Sequence, residues 1–129
     1  MTNTAQFPKA RLWTGRILSA LAILFLAFDA ILKFFRPVVV TEAFTRLGYP
    51  PSLIIPLGIV LLIATVLYAI PRTSVLGAIL LTGYLGGAVA THARVGDPLV
   101  SHVLFPVYLG VLLWGGLYLR DSRTAGILG

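Results

Sequence analysis

The chain has 129 residues, 58% of them apolar and 11% charged, with a mean hydropathy of +0.97. A soluble domain carries about 25% charged residues, so this composition argues against a water-soluble fold and for an integral membrane protein. Ten Lys and Arg against four Asp and Glu give a net charge of +6, but they are dispersed at the ends of apolar runs, unlike the clustered stripe of a nucleic-acid binder, and read as membrane-flanking charge. The absence of cysteine removes disulfides, CxxC pairs, thiolate metal sites and cysteine nucleophiles, so any redox role needs a borrowed cofactor.

Four apolar runs, each near the roughly 20 residues that cross about 30 Å of hydrocarbon, predict an all-α membrane four-helix bundle forming one domain over residues 1–129. The first helix is expected at about 15–35; it is too long for a cleaved signal, and no small-residue cleavage site follows it. The second, at about 52–70, is opened by Pro50 and Pro51 and closed by Pro71, with Pro56 placed to kink it. A short link of Pro71, Arg72 and Thr73 leads to the third, at about 74–93, with Thr73 or Ser74 available as N-cap, and so forces an antiparallel pair. After Arg94 to Pro98 comes the fourth, at about 101–119, ended by Arg120 and Asp121.

Both termini of such a bundle share one side of the membrane. Lys9, Arg11, Arg16, Arg72, Arg120 and Arg123 fall on that side, and Lys33, Arg36, Arg46 and Arg94 on the other. Basic residues are retained in the cytoplasm, so cytoplasmic termini are expected. The other, outer side holds the one long connection, from Arg36 to Pro51.

Ionisable residues inside the hydrocarbon are the candidates for function. Asp29 lies about two turns inside the outer end of the first helix, where a lone carboxylate costs roughly 2.5–3.5 kcal/mol. Lys33 is four residues on, on the same helical face, so an internal ion pair is expected. The same geometry also suits Asp29 as a proton carrier or ligand acceptor tuned by Lys33. In the third helix Gly83 and Gly87 form a GxxxG pair, continued by Ala90, and predict close helix packing. Tyr84, Ala88 and His92 lie on an adjacent stripe, which carries a hydroxyl and an imidazole toward the outer half. His92 has both an interfacial, hydrogen-bonded reading and a functional one.

Asp29, Lys33, Arg36, His92, Arg94, Asp97 and His102 all fall at the outer ends, while the inner ends show little besides flanking arginines. Asp29, Lys33, Tyr84, His92, Arg94 and His102 are therefore the candidate ligand-binding residues. His92 and His102 flank a short turn and could in principle hold a metal or haem, but there is no CxxCH, no HExxH and no carboxylate cluster, so haem is disfavoured and no metal site is assigned. Phosphate-cradling glycine loops and a serine nucleophile elbow are absent as well.

The segments LYAIPRTSVLGAILLTGYLGGAVATHARVGDP (67–98) and FPVYLGVLLWGGLYLRD (105–121), with FDAILK (28–33) and RLGYP (46–50), resemble the DoxX-like family of small bacterial membrane proteins over nearly the whole chain. The resemblance implies a four-helix membrane bundle and, with it, location in a bacterial inner membrane. For function it implies less: members of the wider DoxX group are linked to quinone-coupled sulfur oxidation and oxidative-stress complexes, and most relatives have no assigned activity. One departure is clear, since GIVLL from Gly58 puts Leu61 where the family pattern has glutamate, which leaves Asp29 as the only carboxylate within a span.

The expected function is binding of a small lipophilic molecule such as a quinone in the outer half of the bundle, in support of a redox partner, with Asp29, Tyr84 and His92 addressing its polar head. A structural or assembly subunit, docking through the GxxxG face as a homo-oligomer or onto another membrane protein, is the alternative. A third reading is a small enzyme using Asp29 and His92 as acid and base on a lipophilic substrate. Membrane lipid is the expected surrounding partner, and nucleic acid is not.

Overall fold

A computed structural model describes residues 7–128, and among these every regular element is helical. The elements are α1 (Lys9–Phe35), α2 (Val38–Arg46), α3 (Ile54–Ala69), α4 (Ser74–Arg94), α5 (Phe105–Arg120) and α6 (Ser122–Leu128). With their leading turns, four segments are long and apolar enough to cross a membrane: Lys9–Phe35, Pro51–Ala69, Pro71–Arg94 and Leu99–Arg120. The all-α four-span architecture expected from hydropathy is the one observed.

α1 packs on α3 and α5, and α4 packs on the same two, so the long helices form a ring with α1 and α4 diagonally opposite. Small residues bring the backbones together at defined points. A Cβ at Gly77 would lie 2.6 Å from the Tyr68 Cα, and one at Gly116 would lie 2.9 Å from the Gly15 oxygen, so these glycines make the α3–α4 and α1–α5 crossings possible. The close approach expected at Gly83 and Gly87 is not made within the chain: a Cβ at either would meet nothing within 4 Å. Ala90 is likewise exposed.

α1 starts at Lys9, well before the expected boundary near residue 15. The added turns are basic and amphipathic, and Arg11 explains their order, because it donates to the carbonyls of Leu119 and Tyr118 at 3.1 Å each. A guanidinium at the C-terminal end of α5 satisfies orphan carbonyls and complements the helix dipole. Pro56 falls within the first turn of α3, where a missing N–H forfeits no helical bond. Neither Thr73 nor Ser74 caps α4 by its side chain. Both hydroxyls turn back instead: Thr73 donates to Leu67 O at 2.7 Å and Ser74 to Tyr68 O at 2.7 Å, so the tight link serves the carbonyl end of α3.

The end that carries the termini is richer than a row of flanking arginines. Tyr68 is fully buried and donates to Leu113 O at 2.5 Å. Its proton being committed, Ser19 Oγ must donate to Tyr68 Oη at 2.9 Å, and Arg120 Nε donates to Ser19 at 2.8 Å. The result is one directed chain, Arg120 to Ser19 to Tyr68 to Leu113, that ties α1, α3 and α5 where water is scarce.

Candidate ligand-binding site

At the opposite end the ring opens into a cavity of about 610 Å3, walled by α1, α2, α4 and α5 with Leu57 of α3 at its side. α1 contributes Asp29 and Lys33, whose Oδ1 and Nζ are 2.8 Å apart. The Lys33 side chain is only 8% exposed while that of Asp29 is 39% exposed, so the ammonium is the embedded partner. Gly58 of α3 allows this burial, since a Cβ there would lie 3.0 Å from the Lys33 Cβ. From α4, the Tyr84 ring centroid lies 6.0 Å from Lys33 Nζ, which completes a polar group of carboxylate, ammonium and phenol in a predominantly apolar wall.

α2 closes the cavity over its end with Val39, Val40, Ala43 and Phe44. The way α2 is held follows from a local pattern that occurs twice, Arg46-Leu47-Gly48-Tyr49 and Arg94-Val95-Gly96-Asp97. Gly48 (φ +86°) and Gly96 (φ +75°) adopt the left-handed conformation that ends each helix. In α2 Tyr49 N donates to Phe44 O at 2.9 Å and Gly48 N to Thr45 O at 3.1 Å; in α4 Asp97 N donates to His92 O and Gly96 N to Ala93 O, each at 3.1 Å. Both helices thus end in a Schellman motif.

The two ends then clasp each other. Arg46 donates to both oxygens of Asp97, at 2.7 and 3.3 Å, while Arg94 returns from α4 to the Leu47 carbonyl. His92 Nδ1 lies 2.5 Å from the second Asp97 oxygen. Hydrogen bonds from Arg46 and then His92 hold the Asp97 carboxyl well below its ordinary range, at about 2, and Asp97 in turn pushes the Arg46 guanidinium up. Deeper in, Thr91 donates to Gly87 O at 2.8 Å, so Tyr49 Oη is the donor in its 2.6 Å bond to Thr91 Oγ1.

Of the six candidate ligand-binding residues, the structure places Asp29, Lys33, Tyr84 and His92 around one cavity. Arg94 and His102 do not line it: Arg94 is spent on the clasp, and His102 is exposed on the turn before α5, its Nδ1 2.8 Å from Ser101 Oγ. The His92 and His102 ring centroids are 6.0 Å apart, edge to face. Among the described residues no group of three or more His, Cys, Asp or Glu is placed to hold a metal ion. Gly83 and Gly87 line the cavity, whereas Leu61 is fully buried in the apolar core away from it.

Sequence reading passed over Arg46 and Tyr49 as parts of this site. The repeated Arg-x-Gly ending was the available signal. Phe25, Gly83, Gly87 and Phe105 line the cavity and yet remain exposed, so the cavity is open to the exterior of the bundle; on its α2 side Val39 and Arg46 are exposed too, with the Arg46 guanidinium bonded to Asp97.

A family model described as the DoxX-like family matches residues 17–116. No curated protein and no solved structure matches the chain significantly.

Proposed function

The chain belongs to the DoxX-like family, and we propose that it binds a small lipophilic molecule with an uncharged polar head, quinone-like in its chemistry, in the cavity beneath α2. The observation that carries this reading is the polar group of Asp29, Lys33 and Tyr84 set in a predominantly apolar cavity of about 610 Å3. Cavities of about 300–1,000 Å3 with a few convergent polar groups are the usual form of small-molecule sites. Lys33 uses one N–H on Asp29 at 2.8 Å and has others to offer a carbonyl, and the Tyr84 hydroxyl can donate or accept. Asp29 and Lys33 neutralise each other, so a charged head would have to compete with the pair, whereas a carbonyl or hydroxyl adds to it. A quinone held there would serve a redox partner in the same membrane.

We place the protein in a bacterial inner membrane with its termini in the cytoplasm and α2 on the outer surface. Six basic residues on the terminal side against four on the α2 side support this orientation. So does the pairing of two of those four, Lys33 and Arg46, with carboxylates.

The test is mass spectrometry of the lipid extract from protein purified in mild detergent. Wild type should retain a quinone-class molecule at near-stoichiometric amounts, and Lys33→Met should lose most of it. No lipophilic molecule enriched in wild type over Lys33→Met would overturn the reading.

A further inference from the structure

The geometry points to a ligand route through the bilayer: we propose that the cavity fills sideways from the membrane, across a sill made by Gly83 and Gly87, while the α2–α4 clasp seals it from water. This deepens the function proposed above and rests on that reading. It gives the two glycines a use other than helix packing.

The sealed edge is the one where the helix ends meet. Arg46 to Asp97 at 2.7 Å, Arg94 to the Leu47 carbonyl, and Tyr49 to Thr91 at 2.6 Å join α2 and its following turn to the end of α4. Charged groups that line this edge are therefore engaged with protein partners. The open edge has a different chemistry: Phe25, Gly83, Gly87 and Phe105 line the cavity, remain exposed and all belong to segments long and apolar enough to span the membrane. Bilayer lipid is what such a surface faces, and a molecule dissolved in lipid can enter there without passing through water.

The opening is bounded at its deep side. Trp114 Nε1 of α5 donates to Thr82 Oγ1 of α4 at 2.7 Å, one residue before Gly83. Beyond that tie α4 presents glycine at 83, 86 and 87, and a Cβ at any of them would meet nothing within 4 Å. Glycine weakens a helix interior relative to alanine, and here no neighbouring backbone requires it. The space it leaves is the gap itself. Gly87 is seven residues from Arg94, about 10 Å along the axis at 1.5 Å per residue, so the sill lies within the hydrocarbon.

The absence of cysteine makes thiol access a clean readout, and it requires no bound ligand. Ala88→Cys places one thiol on the cavity wall of the full chain in lipid nanodiscs, which expose both membrane faces. A pyrenyl maleimide that partitions into lipid should label it at least tenfold faster than a sulfonated maleimide, relative to the same ratio at Glu42→Cys on exposed α2. Adding Gly87→Leu, or independently Gly83→Leu, should slow the pyrenyl reaction at least tenfold while the melting temperature stays native. Adding Arg46→Ala should admit the sulfonated reagent.

Three results would overturn the route: equal pyrenyl rates with and without both leucine substitutions, fast labelling of Ala88→Cys by the sulfonated reagent in the intact clasp, or protection of both Ala88→Cys and Gly87→Cys from the pyrenyl reagent. The last is what a second protein seated on the face would produce. Failure of the quinone-like reading appears separately, in the lipid extract.

Discussion

Asp29 and Lys33 are unequally buried, and that inequality decides how the site responds to mutation. The ammonium is 8% exposed and the carboxylate 39%. Removing one member of a buried pair strands the other, at about 3–5 kcal/mol where both are fully buried. Asp29→Asn leaves the embedded ammonium without its counterion, whereas Lys33→Met leaves the less buried of the two groups. We expect Asp29→Asn to destabilise by about 2–3 kcal/mol and Lys33→Met by less than half of that, with the double variant recovering part of the Asp29→Asn loss. Denaturation of the four proteins in one detergent gives the cycle. Equal losses for the two single variants would show that the pair is not the asymmetric one described.

Asp97 yields a pH dependence whose sign is fixed. Its folded-state value is about 2 against an ordinary 3.8, so the clasp contributes fully above the ordinary value and fades as pH falls from about 4 through about 2. Asp97→Asn should melt at a lower temperature than wild type at pH 7, and the two should converge near pH 2. A gap that persists to pH 2 would contradict this origin. The pair at Asp29 and Lys33 was legible in the chain because i,i+4 spacing makes neighbours on any helix. The contact between Arg46 and Asp97 was not, because it joins positions 51 apart that only the fold brings together.

At the scale of the helices, glycine has two opposite uses that spacing alone does not separate. Gly77 has the Tyr68 backbone against it, so that a Cβ there would lie 2.6 Å from the Tyr68 Cα, whereas Gly87 has open space. Gly77→Ala must push the α3–α4 hairpin apart, an overpacking loss of about 1–3 kcal/mol or more. Gly87→Ala removes only backbone freedom and should be neutral or stabilising by up to about 1 kcal/mol. Thermal melting of the two variants under identical conditions tests both signs. The GxxxG pattern from Gly83 to Gly87 marks where a backbone has room to approach; it carries no information on whether a helix of the same chain is there, and none is.

The short helix α2 escaped sequence reading for a related reason. Val38-Val39-Val40-Thr41 is β-branched and a weak helix former. What fixes α2 is Pro37 ahead of it, buried Phe44 within it and the clasp at its end.

For the whole molecule, hydropathy located the spans because lipid imposes one requirement everywhere: roughly 20 apolar residues with their backbone bonded internally. It could not locate the chain of hydrogen bonds from Arg120 to Leu113, which depends on three helices meeting. Those two polar ends differ in a way that bears on orientation. At the terminal end Arg11 caps carbonyls and Arg123 both caps Pro71 O and pairs with Asp121, one of six basic residues on that side, while at the α2 end two of four, Lys33 and Arg46, are held by carboxylates.

The free positive charge of the loops is therefore more one-sided than the count of six to four implies. Single cysteines placed by Glu42→Cys on α2 and Gly126→Cys on α6 report the two sides of the cysteine-free chain. In intact cells an impermeant maleimide should label Glu42→Cys and reach Gly126→Cys only after permeabilisation. The reverse pattern would put α2 in the cytoplasm and move the lipid-facing opening of the cavity to the inner leaflet.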